Sequence, residues 1–140
     1  MTRSPLEVHG LAHVGIAVPS IDAALPAWES LGFVLREREA IPSMGLKIAF
    51  LEAGGTVLEL LEPTAAGTPV GKFLASRKGG LHHIAFFVPD LEAALREAEA
   101  RGHEPIDRTP RDGSHGLRIA FLHPRSFHGV LVELCQRRQA

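Results

Sequence analysis

The sequence predicts an α+β fold in which two tandem βαβββ modules form one curved half-barrel sheet. Three blocks of sequence occur twice in the same order, which chance similarity of single blocks does not explain. In each copy, short apolar strands surround one helix that has a cap and a stop signal. The matching blocks are His13–Ala24 with His83–Ala94, Gly45–Leu51 with Gly116–Leu122, and Gly55–Leu60 with Gly129–Leu134.

Each module begins with an apolar strand and continues with a helix and three more strands. Ser20 and Asp90 are suited to cap the two helices, because their side-chain oxygens can accept N–H groups of the first turn. Gly32 and Gly102 suit the left-handed position after a helix end, and Pro26 predicts a short or kinked first helix. The predicted strands are 10–18, 34–40, 46–53, 56–62, 80–88, 104–108, 117–123 and 129–135, with helices at 91–101 and 70–76.

The whole chain, 1–140, is interpreted as one domain because neither module could bury its sheet alone. Module 1 covers about 8–63 and module 2 about 80–136. The segment 64–79 between them is rich in proline, glycine, threonine and alanine and is predicted to be the linker.

Composition excludes several classes of protein. Lysine and arginine number 15 against 16 aspartate and glutamate, without a basic stripe, so we expect no nucleic-acid partner. No apolar run approaches the roughly 20 residues that span a bilayer, and Met1–Gly10 has no apolar segment typical of a signal peptide. The single cysteine, Cys135, allows no internal disulfide and fits a reducing compartment. We therefore expect a soluble cytoplasmic protein.

Four polar residues at repeat-equivalent positions are the candidate site. Strand side chains alternate between faces, so His13 and His83 lie opposite the apolar faces of their strands. Glu59 and Glu133 stand inside apolar strands, where a carboxylate is costly to bury unless it is paired or binds a metal. Taken singly, each histidine suits a hydrogen-bonded core position and each glutamate a half-exposed strand. As a duplicated set they predict one divalent metal site with open coordination positions.

The same face of the last strand carries Cys135, two residues after Glu133. It is close enough in sequence to line the site. Since free cysteine behaves as a small hydrophobic residue, we interpret it as a core or rim side chain.

This pattern resembles the vicinal-oxygen-chelate superfamily, which includes glyoxalase I and extradiol dioxygenases. Within it, the chain is most similar to the methylmalonyl-CoA epimerases, from about His9 to Gln136. The most specific block is the last one, because the histidine and glutamate positions are shared across the superfamily. The segments that carry the resemblance are Ala12–Val18, Leu58–Pro63, Leu81–Phe86 and Ser114–Ser126 with its continuation Gly129–Leu134.

The resemblance implies the vicinal-oxygen-chelate (glyoxalase) fold and an isomerase that interconverts (R)- and (S)-methylmalonyl-CoA. It implies that His13, Glu59, His83 and Glu133 hold a divalent ion, with cobalt as first choice and manganese, nickel, zinc or magnesium as alternatives. Glu133 would abstract the α-proton, and the metal would stabilise the enolate. An acyl-CoA substrate, a homodimer and a role in propionate metabolism follow from the same resemblance.

Substrate contacts are predicted near the specific last block. His115, Arg118, Arg125 and Ser126 are the candidates for binding the substrate. Basic residues suit the phosphates of the CoA tail. The candidates for that tail are Lys72, Arg77, Arg118 and Arg125.

One position departs from the family. Some epimerases use a second glutamate on the third strand, and the matching residue here is Ile48, which cannot transfer a proton. Lys47 should point away if Ile48 points toward the site. The second acid or base therefore stays open between metal-bound water and Glu59. Three rival functions also remain: a glyoxalase I-like lactoylglutathione lyase, an extradiol dioxygenase, and a non-catalytic ligand-binding protein of the same fold.

Overall fold

The computed structural model describes residues 6–138, which form the two predicted βαβββ modules. The chain divides into two units. The first comprises His13–His82, and the second comprises the described residues 6–12 and 83–138. Among the described residues, no helix has both the length and the apolar character needed to cross a bilayer.

The first module has four strands in the order β2-β3-β4-β1. β1 runs parallel to β4, and β3 runs antiparallel to both β2 and β4. The segment predicted as a linker contains a helix that extends the predicted 70–76 by one residue at each end. The elements are β1 (Leu11–Ala17), α1 (Ile21–Glu29), β2 (Val34–Ile41), β3 (Leu46–Ala53), β4 (Thr56–Pro63) and α2 (Pro69–Arg77).

The second module repeats this arrangement with the strand order β5-β8-β7-β6. β5 is parallel to β8, and β7 is antiparallel to both β8 and β6. The repeated order confirms the predicted fold class at the level of the modules. The elements are β5 (Gly80–Phe87), α3 (Leu91–Ala100), β6 (Arg111–Asp112), β7 (Arg118–Leu122) and β8 (Val132–Gln136).

The predicted helix caps are confirmed. The Ser20 hydroxyl accepts the Ala23 N–H at 3.2 Å, and the Asp90 carboxylate accepts the Ala93 N–H at 3.1 Å. These contacts satisfy first-turn N–H groups that have no partner within the helix. Pro26 lies inside α1, which is nine residues long and continues to Glu29.

A second oxygen reaches the start of each of these helices from the last strand of its module. Glu62 Oε1 accepts the Ile21 N–H at 2.8 Å, and Gln136 Oε1 accepts the Leu91 N–H at 2.7 Å. The two acceptors occupy equivalent repeat positions, so the duplication extends to how each helix is anchored to its sheet.

The faces of the first module's sheet bury two separate apolar clusters. Val14 and Ile16 of β1 pack toward α1, and Ala17 packs on the opposite face with α2, as strand alternation predicts. The α1 side is built on Val18, Ile21, Leu25, Ala49, Leu51, Leu58 and Leu60. The α2 side is built on Ala17, Leu46, Ile48, Phe50, Leu61 and Val70.

The second module's sheet also has an apolar cluster on each face. The helix side contains Val88, Leu91, Ala94, Leu95, Ala98, Ala120, Leu122, Val132 and Leu134. The opposite face contains Ala85, Ile119, Phe121 and Cys135. His13 therefore lies on the face turned away from α1, and His83 lies on the face turned away from α3.

The predicted strand at 104–108 is wrong. Its residues contribute only one isolated bridge, between Pro105 and Leu122, and the strand β6 comes later and is two residues long. Pro105 has no N–H to donate to a ladder. The Asp107 carboxylate accepts the Phe121 N–H at 2.9 Å, which takes a position that a strand carbonyl would occupy. The polar side chain and the proline together replace regular pairing beside β7.

β8 begins three residues later than the predicted 129–135. The Gly129 N–H donates to the Pro124 carbonyl at 3.0 Å, and the Val130 N–H donates to the Phe127 carbonyl at 3.2 Å. Gly129 also has a φ of 94°, a conformation in which glycine carries no steric penalty. These residues close the preceding turn and are not available to the ladder.

Replacing Leu51 with alanine should lower the free energy of unfolding by about 2–5 kcal/mol. Leu51 is 0% exposed in the cluster beneath α1, so the truncation leaves a cavity that the sheet can only partly fill. Leu31→Ala is the matched control, because Leu31 is 72% exposed. Urea unfolding of both variants measures the difference. Equal losses would contradict the assignment of Leu51 to the core.

Candidate active site

The first module brings His13 of β1 beside Glu59 of β4. Gly15 pairs with Glu59 between these parallel strands, and alternation places His13 on the same face as Gly15. His13 Nδ1 lies 3.1 Å from Glu59 Oε2, and the side chains are 5% and 6% exposed. The predicted histidine and glutamate of this module are therefore a buried pair in hydrogen-bonding contact.

The second module forms the equivalent pair from His83 of β5 and Glu133 of β8. Ala85 pairs with Glu133 between these parallel strands, just as Gly15 pairs with Glu59 in the first module. His83 Nε2 lies 3.0 Å from Glu133 Oε1, and both side chains are 5% exposed. The repeat is thus preserved in the chemistry of the pairs as well as in the strand order.

Each glutamate has the same cross-strand setting, with a small residue on one neighbouring strand and a phenylalanine on the other. The neighbours are Gly15 and Phe50 for Glu59, and Ala85 and Phe121 for Glu133. The Phe121 ring also meets the His83 ring edge-on, with 5.6 Å between centroids. The small residue leaves space on one side of each carboxylate, and the phenylalanine occupies the position on the other side.

The donor atoms of both pairs fit a divalent cation. Burying a carboxylate in apolar surroundings is costly unless a cation or strong donors compensate it. Imidazole nitrogens and carboxylate oxygens are the ligands that suit first-row divalent metals. Each module supplies one of each, already 3.0–3.1 Å apart and buried.

Cys135 touches the base candidate directly, a contact that sequence reasoning did not predict. Its Sγ lies 3.3 Å from Glu133 Oε2, and the side chain is 0% exposed within the apolar cluster of that face. The interpretation of Cys135 as a core residue is confirmed, but the thiol is also a donor to Glu133. The only sequence signal for this contact was the spacing of two residues along one strand.

Ile48 occupies the face that carries Glu59. It is 3% exposed in the α2-side cluster, while Lys47 is exposed, as expected for alternate residues of β3. Ile48 pairs across with Leu61, which follows Glu59 by two positions. The position that carries a glutamate in some epimerases is therefore an apolar wall here.

The predicted substrate contacts lie in the turns around β7. His115 is exposed in the turn Ser114–Gly116 with a φ of 56°, and Ser126 is half-buried in the turn Pro124–Phe127. Arg118 alternates with Ile119 on β7 and lies 3.8 Å from Glu92 of α3.

Two of the remaining basic candidates, Arg125 and Arg77, have partners of their own. Arg125 pairs with Glu104 at 2.9 Å, and the Arg77 guanidinium lies over the Phe73 ring, 5.4 Å from its centroid. Lys72 lies within α2. Assignment of these residues to the substrate stays a prediction.

A family model describes most of the chain. Residues 12–121 match the model of the glyoxalase/bleomycin resistance protein/dioxygenase superfamily. The matched range includes both histidines and Glu59.

Curated relatives match over a longer range. YqjC of Bacillus subtilis (strain 168), an uncharacterised protein, is 43% identical over 127 residues, which cover 90% of this chain and 91% of the relative. The ethylmalonyl-CoA/methylmalonyl-CoA epimerase of Cereibacter sphaeroides is 40% identical over 131 residues, covering 90% of this chain and 96% of the relative.

A solved structure of a methylmalonyl-CoA epimerase in complex with methylmalonyl-CoA and NH4+ superposes with a TM-score of 0.88. It is 37% identical, and the match covers 94% of this chain and 96% of that one. One of these relatives and the solved structure are thus named as methylmalonyl-CoA epimerases, and the relative is named for ethylmalonyl-CoA as well. These matches confirm the predicted resemblance and the predicted fold.

Proposed function

Because the chain belongs to the glyoxalase/bleomycin resistance protein/dioxygenase superfamily, we propose that it is an epimerase that interconverts (R)- and (S)-methylmalonyl-CoA. The observation that carries this proposal is the pair of buried His–Glu contacts at equivalent repeat positions. The names of the relatives supply the substrate class. Together they favour proton transfer at a carbon beside a thioester.

The proposal assigns one divalent cation to His13, Glu59, His83 and Glu133. Two observations support it. The donor set has two imidazoles and two carboxylates, and each module contributes one imidazole and one carboxylate at repeat-equivalent positions. When bound, the cation supplies positive charge that stabilises negative charge developing on the substrate's oxygens. With four protein ligands, the cation would still have open positions through which those oxygens could reach it.

In the proposed reaction, the Glu133 carboxylate removes the α-proton. The electron pair of the broken C–H bond moves into the thioester carbonyl. As that carbonyl re-forms, Glu59 or a water molecule, the two alternatives for the second acid, returns a proton to the opposite side of the carbon. The contact between the Cys135 thiol and Glu133 Oε2 holds the carboxylate in one orientation. The apolar surroundings exclude water that would compete for the carboxylate.

Substrate recognition belongs to the same proposal. His115, Arg118, Arg125 and Ser126 are assigned to the acyl-CoA, and the two arginines would exchange their present acidic partners for its anionic groups. Ethylmalonyl-CoA should be assayed beside methylmalonyl-CoA, because one relative is named for both. The glutathione–methylglyoxal hemithioacetal tests the glyoxalase alternative.

The finer expectations from the sequence are also part of the proposal. Cobalt is the first choice of resident ion, and the protein is proposed to be a cytoplasmic homodimer with a role in propionate metabolism. Metal analysis of purified protein tests the ion, and sedimentation equilibrium tests the dimer.

The test of the proposed function is proton NMR of methylmalonyl-CoA in deuterated water, with and without EDTA. Deuterium should enter the α-position and the epimers should interconvert, and EDTA should slow both processes at least about tenfold if the cation stabilises the developing charge. Exchange no faster than without protein would contradict the epimerase. If exchange is unchanged after EDTA has removed the metal, the proposed role of the cation is contradicted.

A further inference from the structure

Arg111 of β6 lies on the sheet face of the second module that carries Glu133. It pairs across with Ile119 of β7, and directly paired residues of neighbouring strands point to the same face. Ile119 belongs to the apolar cluster of that face, which also contains Phe121, the cross-strand partner of Glu133. An arginine therefore lies on the face from which the proposed base projects.

The guanidinium of Arg111 is held over the Phe121 ring, 5.6 Å from its centroid. A guanidinium within about 6 Å of an aromatic centroid gains cation–π attraction. The same ring meets the His83 imidazole edge-on. Phe121 is directly opposite Glu133, and Cβ atoms of such pairs are about 4.5–5.5 Å apart. One aromatic ring thus contacts both the imidazole and the guanidinium and stands beside the base.

Asp107 fixes the other side of this arginine. Its Oδ2 accepts the Phe121 N–H at 2.9 Å, and its Oδ1 lies 3.4 Å from Arg111 Nε. The Asp107 side chain is 18% exposed, whereas that of Arg111 is 44% exposed. The ion pair engages Nε, and the two Nη groups carry four of the five N–H donors of a guanidinium. The arginine is therefore oriented in advance while it stays accessible to a ligand.

Two other arginines of the second module are less well placed. Arg118 projects to the opposite face of the sheet, where it lies 3.8 Å from Glu92 of α3. The Arg137 guanidinium lies 3.6 Å from the centroid of the Phe87 ring. Phe87 is two residues along β5 from the residue that pairs with Glu133. The arginine of β6 is thus the best placed to meet a substrate whose proton the base removes.

A malonyl-type CoA ester has its free carboxylate on the carbon that loses the proton. A group that binds this carboxylate must therefore lie close to the base, as Arg111 does through Phe121. A planar guanidinium can donate two parallel N–H groups to a carboxylate. The phosphates of CoA are anionic as well, but the whole pantetheine arm separates them from that carbon. The position beside Glu133 favours the carboxylate.

We propose that Arg111 binds the free carboxylate of methylmalonyl-CoA and thereby selects acyl-CoA esters that carry one. This inference rests on the proposed function, and it uses residues of the second module alone. Two N–H groups of the guanidinium donate to the carboxylate, which fixes the α-carbon so that its proton faces Glu133. Propionyl-CoA, which has a hydrogen in place of the carboxylate, makes no such contact.

The test measures binding of methylmalonyl-CoA, propionyl-CoA and CoA to Arg111→Ala by isothermal titration calorimetry. The wild-type protein should bind methylmalonyl-CoA more tightly than propionyl-CoA. The variant should bind methylmalonyl-CoA about tenfold more weakly or worse, because it loses hydrogen bonds between charged groups. Its affinities for propionyl-CoA and CoA should not change. Arg111→Lys should lie between the two proteins, since an ammonium keeps the charge but not the planar fork.

Arg101→Ala is the matched control. Arg101 Nε pairs with Glu97 four residues earlier, as Arg111 Nε pairs with Asp107, and its side chain is 46% exposed. It follows α3, and the control should bind all three compounds as the wild-type protein does.

Unchanged affinity of Arg111→Ala for methylmalonyl-CoA would overturn the inference. An equal loss for all three compounds would also overturn it, because that result indicates contact with the CoA phosphates or a structural role. Selective loss of methylmalonyl-CoA in Arg137→Ala instead would move the assignment to that residue and overturn this one. The proposed function fails separately, if the wild-type protein does not interconvert the epimers.

Discussion

His83→Ala is expected to abolish binding of the proposed cation and to lower epimerisation by about a thousandfold or more. Lewis-acid stabilisation of developing charge contributes several kcal/mol, and each 1.4 kcal/mol is about a factor of ten in rate. The substitution also leaves Glu133 buried without its imidazole partner, which lies 3.0 Å away. Metal content by inductively coupled plasma mass spectrometry and the NMR exchange assay give the two readouts.

Comparison with His13→Ala decides whether the two pairs share one ion. The proposal predicts one cation per wild-type chain and a loss of that same cation in either variant. If each pair held its own ion, the wild-type protein would contain two and each variant would keep one. His9→Ala is the control, because His9 is exposed and its imidazole forms an ion pair with Glu7, which is not a proposed ligand. A variant His83→Ala that retains the full metal content would refute the ligand assignment.

The modules could be predicted because their signals are local. Strand alternation placed Val14 and Ile16 under the helix, and the hydroxyl and carboxylate caps followed from residue type alone. The absence of a strand at 104–108 could not be predicted, because the sequence does not reveal that the Asp107 side chain replaces a ladder acceptor. A side chain that substitutes for backbone pairing is a tertiary event.

The site was predictable to the extent that the repeat displayed it. Two histidines and two glutamates at matching positions suggested a metal centre, and the structure adds that each histidine contacts the glutamate of its own module. The face on which Glu37 and Glu39 of β2 lie could not be predicted, because it depends on one inserted residue after Leu35. A shift of one residue reverses every following side chain, and the sequence of β2 contains no glycine or proline that marks the bulge.

Glu133→Gln should abolish both exchange and inversion, from either epimer. The amide keeps nearly the same shape but cannot accept a proton as a carboxylate does, and loss of a positioned base costs about 10²–10⁴-fold. Because Glu133 is also a proposed ligand, the variant should bind the cation more weakly than the wild-type protein.

Glu133→Asp is the informative partner of this variant. It keeps the charge but shortens the side chain by one methylene, which withdraws the carboxylate from the contacts with His83 and the Cys135 thiol. Misplacing a reacting group by about 1 Å can lower a rate about a hundredfold, so the aspartate should retain more metal and more activity than the glutamine. If Glu133→Gln inverts methylmalonyl-CoA within about tenfold of the wild-type rate, the base lies elsewhere, since a positioned base contributes more than that. Glu59, the other buried carboxylate of a His–Glu pair, would then be the next residue to replace, because its contact with His13 is the same in kind.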